Sequence, residues 1–123
     1  MATPSTPGIL MPASGETGIR NVIQFLMSAF SGSPGYQESQ WQIATDSGFT
    51  AIVVDTELRE PDDWEIGEQW FDCHIGYHRL GQGTLHYARC RYRNTSEEVS
   101  AWSATVAFTT ETKVTAAIWS EAA

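Results

Sequence analysis

The chain has 123 residues, 41% apolar and 11% aromatic, which suits one folded domain with an ordinary core and excludes a disordered tail. Fifteen Asp and Glu against seven Lys and Arg give a formal charge of −8, so long-range electrostatics repel phosphate backbones and anionic membrane surfaces. Residues 1–11 carry no basic residue and only the short apolar group Ile9, Leu10 and Met11, which fits neither a signal peptide nor a membrane span. The expectation is a cytoplasmic or particle-bound protein.

Residues 1–13 form an expected extended arm, because two prolines among small polar residues (Ala-Thr-Pro-Ser-Thr-Pro-Gly) disfavour a packed element. A single α+β domain is expected over 14–123. Its first element is an amphipathic helix from about Gly15 to Ser31, since Ile19, Val22, Ile23, Leu26 and Phe30 recur at spacings of three and four. Ser14 is the candidate N-cap, and Gly32, Pro34 and Gly35 stop the run. This helix is expected to pack on an antiparallel β-meander of about six strands.

After Gly35 the period is two. Trp41, Ile43 and Thr45 alternate, Asp46-Ser47-Gly48 supplies turn chemistry, and Phe49 to Val54 returns, a first hairpin expected to set Ile43 opposite Ala51 and Trp41 opposite Val53. A last hairpin is expected from about Ser100 to Ser120. Trp102, Ala104, Val106 and Phe108 lie on one of its faces, and Val114, Ala116 and Ile118 return.

Between these, Gly81-Gln82-Gly83 divides two alternating runs. A two-residue loop sets Phe71, Cys73, Ile75 and Tyr77 opposite Tyr92, Cys90, Ala88 and His86, and keeps the charged residues on the other face. A three-residue loop drives Arg89 and Arg91 into the packed face, at a cost of several kcal/mol, so the first register is expected. It makes Cys73 and Cys90 cross-strand neighbours, either a disulfide or two buried thiols acting as small hydrophobes. It also holds His74 and His78 roughly 13 Å apart along a strand, too far to share a metal, with His86 pointing the other way. No metal and no cofactor are expected.

Charge is segregated. Asp55, Glu57, Glu60, Asp62, Asp63, Glu65, Glu68 and Asp72 fall in one stretch, while Arg89, Arg91 and Arg93 share one face of one strand. Either both are solvated, or the Arg stripe meets Asp62, Asp63 and Glu65 of an identical subunit, with the arm as a clasp. Phosphate-loop, dinucleotide and Gly-x-Ser-x-Gly signatures are absent from the sequence. Two functions follow as expectations. One is a non-enzymatic assembly subunit of a homo-oligomeric particle, by fold analogy a small virion protein of the phage tail, connector or capsid-cement kind. The other is a cystatin-like or NTF2-like domain with a pocket between helix and sheet, lined by His86, Tyr77 and the cysteines. Nucleic-acid binding through the Arg stripe and Tyr87 is disfavoured by the net charge.

Overall fold

The computed structural model describes residues 4–19, 22–62, 65–74, 78 and 80–111. Eight strands occur in chain order: β1 (Ile9–Met11), β2 (Glu16–Ile19), β3 (Val22–Met27), β4 (Tyr36–Ala44), β5 (Ile52–Asp55), β6 (Trp70–His74), β7 (Leu85–Asn94) and β8 (Val106–Thr110). They form a three-stranded sheet, β1-β3-β6, and a five-stranded sheet, β2-β8-β7-β4-β5. Pairing is antiparallel except between β2 and β8. The architecture is a β-sandwich, and among the described residues there is no helix.

The expected α+β fold is therefore wrong, and the error lies in the segment read as a helix. That segment is β2 and β3. Gly15 and Gly18 have φ of +84° and +70°, left-handed values that a right-handed helix does not contain. Within the same residues the spacing of three and four overlaps a period-two row, Ile23, Phe25 and Met27, which is buried while Gln24 between them is exposed. The β-branched Val22 and Ile23 favour the strand, and β3 gains ladder partners on both edges, β1 and β6.

The proline-rich segment lies against its own sheet. Ser5 N–H donates to Ser31 O, Gly8 N–H to Ser28 Oγ and Ser28 N–H to Gly8 O, so residues 5–11 run beside the end of β3. The chain then crosses at 12–15 to the other sheet, where Glu16 pairs with Phe108 and Ile19 with Thr110.

The expected central hairpin is not formed either. β6 pairs with β3 in one sheet and β7 with β4 and β8 in the other, so Cys73 lies opposite Ile23 and Cys90 opposite Trp41. Turn chemistry at Gly81–Thr84, where the Thr84 hydroxyl donates to Gln82 O, reverses the chain without deciding which sheet the next strand joins. The first hairpin does form, as β4 and β5, with a different register: Gln42 faces Asp55 and Ile43 faces Val54. Asp46 shifts it. Its carboxylate accepts the Thr50 and Ala51 N–H groups and the Thr50 hydroxyl, organising a longer loop. In β8, Val106, Phe108 and Thr110 are buried; Trp102 does not continue that face, and the expected return strand at 114–118 lies outside the described residues.

The core fills the space between the sheets. Phe25 stands 5.5 Å from Trp41, 5.3 Å from Phe108 and 6.1 Å from Phe71 between ring centroids, joining the three-stranded sheet to the five-stranded one. Each fully buried aromatic of this kind contributes roughly 1.5–3 kcal/mol by burial alone. At one end Phe30, Tyr36 and Tyr92 pack edge to face, and the Tyr92 hydroxyl donates to Ser28 O at 2.6 Å. That bond satisfies the polar tip of a buried ring and ties the sheets together a second time.

Candidate interaction surface

Strand β7 alternates strictly: His86, Ala88, Cys90, Tyr92 and Asn94 are buried, and Tyr87, Arg89, Arg91 and Arg93 face outward. On the neighbouring β4, Gln42 lies opposite Arg89 and Gln40 opposite Arg91, with Glu38 beside Arg93. Arg89 donates from Nε and Nη2 to Gln42 Oε1, at 2.9 and 2.7 Å, and Arg91 from Nε to Gln40 Oε1 at 2.8 Å. Each amide then donates onward to Asp55 of β5, Gln40 to Oδ1 at 2.8 Å and Gln42 to Oδ2 at 2.9 Å. Two parallel rungs thus cross three strands and end on one carboxylate. Burial pulls the Asp55 carboxyl upward, but the Gln40 amide, the Glu57 N–H, the Gln42 amide and the Arg91 charge together hold it below the ordinary value.

Trp102 lies over this face. Ser100 and Ser103 accept the Tyr92 and Cys90 N–H groups through their hydroxyls, stitching 100–103 to β7 and setting Trp102 beside the arginines. The Arg89 guanidinium carbon is 4.1 Å from the Trp102 ring centroid and 4.2 Å from that of Phe49, and Arg91 is 4.2 Å from Trp102. Cation–π contacts of this kind contribute about 0.5–2 kcal/mol each. They press two like charges side by side, and burial together with the Arg89 charge lowers the Arg91 pKa from its ordinary value.

The candidate residues are thus distributed over several places. Arg93 is neutralised within the chain by Glu38 at 3.0 Å and Glu97 at 3.3 Å. Asp62 and Glu65 face Arg59, at 2.7 and 3.2 Å, and Glu65 also contacts His78 at 2.6 Å. These acids are committed locally. Asp63 lies outside the described residues. Asp72, the last acid of the stretch, is on the other sheet from the arginines and accepts a bond from Gln24. Cys73 and Cys90 are free, buried thiols. His86 is buried, stacked on Phe108, with Nδ1 against Thr84 O. Among the described residues no three His, Cys, Asp or Glu side chains converge as a metal set. A cleft of about 400 Å³ lies at the sheet crossover, lined by Met11, Pro12, Glu16, Gly18, Ile19, Ile23 and Gln24, away from the arginines.

The residues missed in the sequence are Gln40, Gln42, Asp55, Phe49 and Trp102. A signal for two of them existed: Glu38, Gln40 and Gln42 repeat at period two, as Arg89, Arg91 and Arg93 do, so pairing the two strands puts all six on one face.

No protein-family model matches the chain, and no curated protein sequence matches it. Solved structures do. The fibronectin(III)-like modules of Clostridium thermocellum CbhA match 91% of this chain, with a TM-score of 0.59 and 11% identity. A PKD domain of an M14-like peptidase from a Thermoplasmatales archaeon matches 89%, with a TM-score of 0.54 and 15% identity. The α-L-rhamnosidase of Dictyoglumus thermophilum matches 90%, with a TM-score of 0.64 and 13% identity. At such identities the likeness is of fold alone, a sandwich of the fibronectin III and PKD kind. The chain spans 48% of the CbhA structure, 12% of the rhamnosidase and 97% of the PKD domain.

Proposed function

We propose that this chain is a non-enzymatic assembly module that works as repeated copies of itself, partnered by identical subunits and other assembly proteins. A particle such as a virion is the setting, with a tail, connector or capsid-cement role. It binds no cofactor, reads no nucleic acid directly and enters no membrane. The observation that carries this reading is the Arg89–Trp102–Arg91 ladder on the outer face of the five-stranded sheet: two fixed cations held by amides and rings, with no carboxylate in direct ion-pair contact among the described residues. Planar guanidinium groups fixed in this way make a surface suited to carboxylate partners. Light scattering and sedimentation across a wide concentration range test the reading. A ring or higher oligomer is expected, and a strictly monomeric chain overturns it. The cystatin-like or NTF2-like alternative needs a helix laid across a curved sheet, and β2 and β3 occupy the segment that was to supply it.

A further inference from the structure

Resting on the assembly reading, we propose that the occupant of the Arg89 and Arg91 face is the acidic edge of a second copy, presented by Glu57 and Glu60. Among the described residues the Arg91 terminal nitrogens and Arg89 Nη1 make no hydrogen bond, although both guanidinium groups are fixed by Gln40, Gln42 and Trp102. Unfilled donors on an immobilised fork accept a carboxylate with little further loss of side-chain freedom.

The donor edge is ordered as well. Glu57 and Glu60 are exposed and make no ion pair among the described residues, unlike Asp62 and Glu65, which Arg59 already holds. The Glu57 backbone is fixed on both sides: its N–H donates to Asp55 Oδ1 and its carbonyl accepts the Thr56 hydroxyl. Arg59, before Glu60, is pinned to Ser39 by a reciprocal pair of backbone bonds at 3.0 Å. Arg89 and Arg91, two residues apart on a strand, stand roughly 6.6 Å apart, and a three-residue step from Glu57 to Glu60 spans up to about 10 Å, a mismatch that the Glu side chains absorb. The receiving face and the presented edge are different patches, so the contact is heterologous: it closes into a ring or runs on as a tube instead of stopping at a dimer.

Two charge-reversed chains test this. Arg89→Glu/Arg91→Glu makes face and edge both negative, and Glu57→Arg/Glu60→Arg makes both positive. Each variant alone is expected to stay at monomer mass in light scattering, with self-affinity weakened about tenfold or more. An equimolar mixture is expected to assemble, because each face then meets an opposite edge. If Arg89→Glu/Arg91→Glu fails to fold by circular dichroism, the acidic-edge variant decides alone: loss of assembly with an unchanged melt supports the contact. If Glu57→Arg/Glu60→Arg assembles like wild type, this contact is overturned while the assembly reading stands. A wild-type chain that never assembles ends both, and one that stays monomeric yet binds a poly-glutamate peptide gives the face to a foreign acidic partner instead.

Discussion

Phe25 of β3 meets Trp41 of β4 across the sandwich at a tilt of 59°, and the same ring stands edge-on to Phe108. One side chain from the smaller sheet therefore packs against two strands of the larger. Phe25→Ala is expected to destabilise the chain by about 3–5 kcal/mol, read from urea denaturation, through lost burial and the cavity left behind. Gln24→Ala, one residue away on the exposed side, is expected to change stability by no more than about 1 kcal/mol. Similar costs at the two positions would mean that β3 does not present alternate faces to core and solvent.

The thiols of Cys73 and Cys90 are both pushed up to about 12, Cys73 by burial and the Glu65 charge, Cys90 by burial against the opposing Ser103 hydrogen bond. Thiolate, the reactive form, is scarce at neutral pH in such sites. Iodoacetamide is expected to leave the native chain unmodified and to add two groups after denaturation, as counted by mass spectrometry. Rapid labelling of either cysteine in the native chain would contradict their burial.

His86 links stability to pH. Burial, opposed only by the Thr84 carbonyl, holds its imidazole below the ordinary value, and Nε2 has no hydrogen-bond partner among the described residues. The unfolded chain takes up this proton near pH 6.5, at about the free-histidine value, while the folded chain does not until lower pH. The stabilisation by neutral His86 is thus present above about pH 6.5 and is lost as pH falls through the folded value. Denaturation midpoints are expected to fall with acidification below about pH 6.5 in wild type and to fall less in His86→Leu. Equal slopes would show that His86 is not the linked group.

Asp55 is the common end of both Gln rungs. Asp55→Ala leaves the Gln40 and Gln42 amides unpaired, at an expected cost of about 1–3 kcal/mol in thermal or urea unfolding. A double-mutant cycle with Gln42→Ala is expected to give a coupling of at least about 0.5 kcal/mol. Strict additivity would disconnect the rungs.

How far the sequence carried depended on whether a feature was local. Alternation made the outward row Arg89, Arg91 and Arg93 legible, because a strand's two faces are set by its own residues. The β4–β5 reversal was legible from Asp46, Ser47 and Gly48. Residues 15–31 were misread because apolar positions there satisfy both periods, and only the positive φ at Gly15 and Gly18 and the ladder partners of β3 separate them. The pairing of β7 with β4 instead of β6 was illegible, since Gln40 and Gln42 are some fifty residues from the arginines they hold. Trp102 does not share the face of Ala104, Val106 and Phe108 expected from alternation, because its position is set by Ser100 and Ser103 capping β7, a contact that alternation does not encode.

The parallel pairing of β2 with β8 gives the sandwich a mechanical direction. Tension entering β2 from the crossover at 12–15 and leaving through the far end of β8 pulls two strands that run the same way in opposite senses. Their hydrogen bonds are then loaded together, in shear, instead of being opened one after another like a zipper.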